Sequence, residues 1–223
     1  MTQPHAVIDN KHWQIFGNKD GRDYAARRSV RGARQRKGQK PEGHVIKPKK
    51  PIKYPAKSVA MTVAVIRGRI RMWEYVPQGQ NWNGETAAAM YRGPLIKALA
   101  RAYPERAKTS QEWQVLEDND PAGYKSGKAM QAKRDVGIIT DDLPRRSPDL
   151  NVLDYSLWHA INLQMRAQER ALSPRKAETE AEYLSRLRKT AWVMPAAQVE
   201  KAVASMHKRA RMMFKENGNL FVE

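Results

Sequence analysis

The chain has 223 residues, which is enough for one large domain with a buried core. Its 41 Lys and Arg outnumber 23 Asp and Glu, and the formal charge of +18 predicts a polyanionic partner such as nucleic acid. Cysteine is absent, which excludes disulfides and thiolate zinc sites, and the longest apolar run, residues 59–66, is too short to span a membrane.

The first elements along the chain are predicted to be β-strands. The stretch HAVIDNKHWQIF has short apolar runs on either side of Asp9, Asn10 and Lys11, which indicates two strands or one long irregular strand. Further along, apolar residues alternate through SVAMTVAVI and return in RIRMWEY, with Arg67 and Gly68 between the two stretches. This pattern predicts a β-hairpin.

Between these predicted strands lies a strongly basic segment, residues 19–57. It holds fourteen Lys and Arg against three acids, a net +11 of the total +18, and it is rich in Gly and Pro. Such a composition predicts an extended arm or insertion whose cations follow DNA phosphates. The alternatives are a solvated basic loop or a nuclear-import signal. The candidate DNA contacts here are Arg27, Arg28, Arg31, Arg34, Arg36 and Lys37.

The rest of the chain alternates between predicted helices and short strands and then becomes helical. Asn83 is the predicted N-cap of the helical segment NGETAAAMYRGPLIKALARAYP, in which Gly93 and Pro94 predict a kink. Two short strands, WQVL and GIIT, flank a helix that ends at Gly137. Three more helices are predicted: residues 151–171, a stretch that begins at residues 173–174, and residues 195–217 followed by Gly218. This order predicts an α/β fold with a mixed sheet.

Three acids lie at the predicted ends of these elements, where α/β sheets build their sites. Asp9 ends the first strand, Asp118 follows the strand VLE, and Asp154 lies at the entrance of a helix. Each has a structural alternative: a turn at Asp9, a solvated loop for the acids of EDNDP, and a capping-box acid at Asp154 after an N-cap at Asn151. The spacing of the three acids does not decide between these interpretations. The histidines show no metal-ligand spacing, so any metal would be held by oxygen.

Four stretches of the sequence resemble mariner-type transposases. RRSPDLNVLDYSLW is similar to the segment that ends in the family's third catalytic carboxylate, here Asp154. The stretch DNDP is similar to the segment that begins with the second carboxylate, here Asp118, and 35 residues separate the two acids, close to the family's gap. AVIDNKHWQIFGNKDGRDYAARR is similar to the first segment, with Asp9 as its carboxylate, and the tail after residue 192 resembles the family's closing helix.

The sequence also departs from the family pattern. Asn10 stands where members usually have Glu, Gly123 stands where they often have His, and a Trp-Gly pair of the hairpin is absent. Members begin with paired helix-turn-helix units, whereas this chain starts eight residues before Asp9, which leaves open whether it is a fragment. These differences concern DNA targeting more than chemistry.

The resemblance implies a ribonuclease H-like fold, a mixed five-stranded sheet flanked by helices, with a C-terminal helical appendage. Residues 1–171 would be the catalytic domain, with residues 19–57 as a basic insertion, and residues 172–223 the C-terminal helical extension. Asp9, Asp118 and Asp154 would be the catalytic residues and would bind two Mg²⁺ or Mn²⁺ ions. Arg145 and Arg146 would hold nearby phosphates. Asp149, the competing acid, is interpreted as a turn-former.

The implied function is that of a DNA transposase, which cleaves phosphodiester bonds and transfers strands at transposon ends. The expected partner is double-stranded DNA, both terminal inverted repeats and target, and the oligomeric state stays open between a monomer and a homodimer. No membrane partner is expected. The expected location is the nucleus in a eukaryote and the cytoplasm or nucleoid otherwise. The alternative is a catalytically inactive, domesticated remnant that acts as a basic nucleic-acid-binding protein.

Overall fold

The computed structural model describes residues 4–14, 58–76, 80–109, 111–144, 147–171 and 178–215. Several sequence-based predictions fall outside these ranges. They are the arm over residues 19–57, the helix start at residues 173–174, the stop at Gly218, and all the candidate DNA contacts, which are Arg27, Arg28, Arg31, Arg34, Arg36, Lys37, Arg145 and Arg146.

Five strands form one mixed sheet in the order β3-β2-β1-β4-β5. The strands are β1 (Ala6–Gln14), β2 (Ser58–Ile66), β3 (Arg69–Tyr75), β4 (Trp113–Glu117) and β5 (Ile138–Asp142). β2 is antiparallel to both β1 and β3, and β4 and β5 run parallel to β1. Arg67 and Gly68 join β2 to β3 with positive φ at both positions, the backbone of a two-residue hairpin turn that matches strand twist. The predicted hairpin and mixed sheet are confirmed.

The first strand corrects the prediction that Asp9 ends a strand or starts a turn. β1 is continuous over nine residues and pairs with β2 along its whole length, so Asp9 lies in the middle of the strand opposite Val63. Pairing with β4 on the other side covers only Ala6 and Val7. Asp9 therefore lies just beyond the part of β1 that pairs with β4, although β1 continues to pair with β2.

One face of the sheet is covered by helices from the middle of the chain. These helices are α1 (Gly84–Met90), α2 (Ile96–Ala102), the short α3 (Pro104–Ala107) and α4 (Gly127–Asp135). Asn83 caps α1 as predicted. The kink predicted at Pro94 is a π-helical turn, Tyr91–Leu95, that joins α1 to α2 without a break, because a wider turn accommodates a residue that has no N–H to donate.

The other face of the sheet is covered by the C-terminal helices α5 (Trp158–Ala171), α6 (Glu180–Trp192) and α7 (Ala196–Lys215). Side chains alternate along β1, so Ile8 packs in the first layer and Val7 in the second. Buried residues of α6 and α7, such as Leu187 and Val199, belong to the second layer. None of the described helices is long and apolar enough to cross a bilayer.

Candidate active site

Asp9 points into the layer beneath the C-terminal helices. Its side chain is buried, and Trp158 at the start of α5 donates its Nε1–H to Asp9 Oδ2 over 2.7 Å. Burial and the negative charge of Asp154 raise the pKa of Asp9 to about 8, against the opposing effect of the Trp158 hydrogen bond. Asp9 is therefore a buried strand residue bonded to an indole, and it does not belong to a solvated turn.

Asp118 follows β4 directly. The parallel pairing of β1 with β4 places Ala6 opposite Val115 and Val7 opposite Leu116. Continued by two residues, the same register places Asp9 level with Asp118. Asp118 Oδ1 is buried and has no hydrogen-bond partner among the described residues. Burial and the charge of Asp120 raise the pKa of Asp118 to about 6.

Asp154 lies in a π-helical turn, Leu153–Leu157, that leads into α5. The side chain of Asn151 accepts the backbone N–H of Leu153 over 3.0 Å and so caps this turn, as the sequence predicts. The backbone N–H of Asn151 donates to the Pro148 carbonyl, whereas Asp154 Oδ1 lies 3.4 Å from Lys11 Nζ. Asp154 is therefore not the second half of a capping box.

The three acids lie within electrostatic reach of one another. The charges of Asp154 and Asp118 both raise the pKa of Asp9, and the charge of Asp154 raises the pKa of Asp118. The neighbouring strands bring Asp9 to Asp118, and the turn before α5 packs against β1. Tertiary structure thus gathers residues that are far apart along the chain.

The chemistry of these side chains fits a divalent cation. Carboxylate oxygens are the ligands that Mg²⁺ and Mn²⁺ prefer, and a cation would offset the repulsion among three acids and engage the unpartnered Asp118 Oδ1. Within the described ranges, no three His, Asp or Glu side chains already converge as a metal-binding group. The acids therefore fit a metal ion by type and neighbourhood, and they have not closed around a common centre.

Asp120 lies beside the candidate site and holds the loop after Asp118 in place, a role that the sequence did not reveal. Its carboxylate accepts hydrogen bonds from Trp82 Nε1 at 2.7 Å, Asn10 Nδ2 at 3.3 Å and the backbone N–H groups of Ala122 and Gly123. These bonds tie the loop after Asp118 to β1 and to the segment before α1. Asn10, which departs from the family pattern, supplies one of the donors, and a Glu at this position would face Asp120 with a second negative charge.

Gly123, the second departure, is explained by the same contacts. A Cβ at this position would overlap Trp82 Nε1 and would lie 2.6 Å from Asp120 Oδ2. The indole of Trp82 therefore occupies the space that a side chain would need. No local signal could have found this contact, because Trp82 precedes Asp120 by 38 residues.

Glu117, the last residue of β4, corrects the interpretation of EDNDP as a solvated loop. Its side chain is fully buried, and it binds Lys133 Nζ of α4 and accepts the hydroxyl hydrogen of Tyr91. Lys125 Nζ lies 3.2 Å from the same carboxylate. A buried charge of this kind needs such partners, and they fix the end of the strand that carries Asp118.

Similarity to known proteins appears at the level of structure. No protein-family model and no curated protein matches the sequence. The crystal structure of the catalytic domain of Mos1 mariner transposase is similar, with 17% identity, a TM-score of 0.62, and coverage of 98% of this chain and 85% of that chain. The Mos1 catalytic domain with raltegravir and Mn is similar at 17% identity and a TM-score of 0.60, over 98% and 86% of the two chains.

A further similar structure is the pre-cleavage Mos1 transpososome, with 17% identity and a TM-score of 0.65. The match covers 97% of this chain and 56% of that one, so the chain spans about half the length of the transposase in that complex. These likenesses show that the chain has the ribonuclease H-like fold of a mariner transposase catalytic domain, and the resemblance stated from the sequence is confirmed at the level of the fold.

Proposed function

We propose that the chain is a metal-dependent polynucleotidyl transferase, the catalytic part of a DNA transposase that cleaves and joins DNA at transposon ends. The observation that carries this proposal is the placement of Asp9 and Asp118 on neighbouring strands, with Asp154 at an adjacent helix entrance and all three within electrostatic reach of one another, in a transposase-like fold. Three carboxylates, one in β1, one directly after β4 and one at a helix entrance, are suitable ligands for phosphodiester displacement by two metal ions.

Two Mg²⁺ or Mn²⁺ ions held by these carboxylates would activate the attacking oxygen and stabilise the leaving oxygen. The attacking group would be water in strand cleavage and a DNA 3′-hydroxyl in strand transfer. The protein's own contribution is orientation. Trp158 fixes Asp9 by its N–H, Asn151 fixes the turn that carries Asp154, and Asp120 and Glu117 fix the two sides of Asp118.

Double-stranded DNA is the proposed partner. The net charge of +18 favours a polyanion, and similar Mos1 structures include a paired-end complex and a strand-transfer complex. For this chain we propose that the arginines and Lys37 of the predicted arm contact DNA phosphates, and that Arg145 and Arg146 hold phosphates as well.

The second candidate is a basic nucleic-acid-binding protein without catalysis. It is favoured by one observation, the pairing of Asp154 with Lys11 in a site whose described acids do not converge on a common centre. The two candidates differ in whether bound DNA is cut.

Nicking of supercoiled plasmid separates the candidates. At low salt the purified chain should convert the plasmid to open circles with Mn²⁺ or Mg²⁺ and leave it intact with EDTA. An Asp118→Asn protein purified in the same way controls for contaminating nucleases. If the chain binds the plasmid, seen as slower migration in a gel, but leaves it supercoiled with either metal, the transferase is rejected and the binding protein is favoured.

A further inference from the structure

Lys11 places an ammonium group among the site carboxylates. It lies two residues after Asp9 on β1, so its side chain leaves the same face of the strand. Its Nζ lies 3.4 Å from Asp154 Oδ1 and 5.8 Å from the centre of the Trp158 ring. Since the Trp158 N–H is bonded to Asp9, Lys11 and Trp158 together connect two of the three acids.

The Lys11–Asp154 pair is open to exchange. The side chains are 38% and 29% exposed, respectively, so water and ions reach both partners. Ion pairs with this exposure are weak, because solvent screens them and the long lysine side chain gains freedom when it is released. Asp9 is buried and held by an indole, whereas Asp154 is held by a cation that can be replaced.

We propose that Lys11 is a resident cation of this site, which neutralises Asp154 until a divalent ion displaces it. The inference rests on the proposed function, because it concerns the same carboxylates. Like charges gathered without a cation destabilise the fold, and Lys11 offsets part of this repulsion. The same positive charge repels an incoming divalent ion, so the site has part of its negative charge offset without metal and binds metal less tightly than the three acids alone would.

Direct titration with Mn²⁺ tests this inference without DNA and without turnover. The loss of the electron paramagnetic resonance signal of free Mn²⁺ measures binding to the wild-type chain and to Lys11→Met, which keeps an unbranched side chain one atom shorter and removes its charge. Lys11→Arg keeps the charge. Lys128→Met removes one positive charge from an exposed pair with Glu85 and controls for net charge.

A second experiment measures the Lys11–Asp154 interaction without metal. Thermal unfolding in EDTA of Lys11→Met, Asp154→Asn and the double variant forms a double-mutant cycle.

We expect Lys11→Met to bind Mn²⁺ about tenfold more tightly, because the Lys11 side chain is 38% exposed and solvent screens most of its repulsion of the ion. Lys11→Arg and Lys128→Met should bind it as the wild type does. In EDTA, Lys11→Met should melt at a lower temperature, and Asp154→Asn should remove that difference. Unchanged or weaker Mn²⁺ binding by Lys11→Met, with binding retained by the wild type, overturns the inference and leaves the proposed function standing. Absence of Mn²⁺ binding in every variant overturns both.

Discussion

At the scale of single residues, burial raises the pKa of Asp9 further than that of Asp118. The native pKa of Asp9, about 8, lies far above the ordinary value for Asp, so the carboxyl group takes up a proton on folding over the intervening pH range. The stability associated with the protonated group is fully present below pH 4 and is lost as the pH rises towards 8. In the absence of metal, ionised Asp9 therefore destabilises the fold in mildly alkaline solution.

Asp9→Asn should remove this pH dependence. Asparagine still offers an oxygen to Trp158 and carries no charge, so in EDTA the variant should melt above the wild type at pH 8, by a margin that shrinks towards pH 5. Thermal unfolding at several pH values measures the difference. Asp135→Asn is a control in which the stability should change in the opposite direction. The Arg92 hydrogen bond lowers the pKa of Asp135, so loss of the Asp135 charge should reduce stability at both pH values. A melting difference for Asp9→Asn that is the same at pH 5 and pH 8 would contradict the account.

The close contacts around Gly123 predict that a larger side chain at this position destabilises the fold. Gly123→Ala should lower the free energy of unfolding by about 1–3 kcal/mol, because the new methyl group overlaps the Trp82 indole and the Asp120 carboxylate. Metal-dependent nicking should fall with it, since the same loop carries Asp118. Gly127→Ala is the matched control: a Cβ there meets no atom within 4 Å, and urea unfolding should show no loss. Equal effects of the two substitutions would exclude the proposed contact.

At the scale of elements, the Glu117–Lys133 pair joins the end of β4 to α4. Both side chains are almost fully inaccessible, and burial lowers the pKa of Lys133 while Glu117 counteracts this effect. Tyr91, in the π-helical turn between α1 and α2, adds a hydrogen bond to the same carboxylate. Strand and helices are thus held together at the residue that precedes Asp118.

Lys133→Met should destabilise the fold by about 3 kcal/mol, at the lower end for a broken buried pair because Lys125 stays near Glu117. The double variant Glu117→Gln, Lys133→Met should recover most of this loss, since the amide still accepts from Tyr91 and no buried charge is left unpaired. Chemical denaturation measures both. Lys128→Met, on the exposed side of α4, should leave the unfolding midpoint unchanged. A double variant as unstable as Lys133→Met would show that the buried charge is not the cause.

The order of strands and helices could be predicted from the sequence because it is encoded locally. Alternation through residues 59–66, the turn at Gly68 and the cap at Asn83 each act within a few residues, and the structure confirms them. The sequence allowed two strands or one long strand around Asp9, and it could not decide between them, because the continuity of β1 depends on a partner strand some fifty residues away. The acids of the site could be chosen only from the family resemblance, and their supports, such as Trp158 on Asp9, depend on tertiary packing.

At the scale of the whole molecule, charge is distributed unevenly along the chain. Residues 19–57 account for +11 of the total +18, and that segment separates β1 from β2 in sequence. Cations gathered in this way bind DNA mainly by releasing counterions from phosphates, which makes affinity depend on salt and hardly on sequence. The predicted arm and the carboxylate site would therefore contribute separately to binding and to cleavage.

Replacement of Arg34, Arg36 and Lys37 by Gln tests this separation. The slope of log affinity against log salt should become less steep by roughly 0.9 for each lost phosphate contact, about two to three units if all three residues bind. Cleavage at saturating DNA and low salt should persist. Fluorescence anisotropy over a salt series measures the slope. An unchanged slope would indicate a solvated loop, and strong preference for one duplex sequence would require a base-reading element and so contradict phosphate tracking by the arm.

The central claim is that Asp9, Asp118 and Asp154 form one catalytic site for DNA cleavage. The most direct measurement is the rate of Mn²⁺-dependent plasmid nicking by Asp9→Asn, Asp118→Asn and Asp154→Asn, with Asp149→Asn as the control from the neighbouring turn. Each of the three should lose at least about a hundredfold in rate, because metal-ion stabilisation of the transition state contributes several kcal/mol, while DNA binding stays equal or becomes tighter. Asp149→Asn should nick at the wild-type rate. Near-normal nicking by Asp154→Asn, or by either of the other two site variants, would contradict the claim.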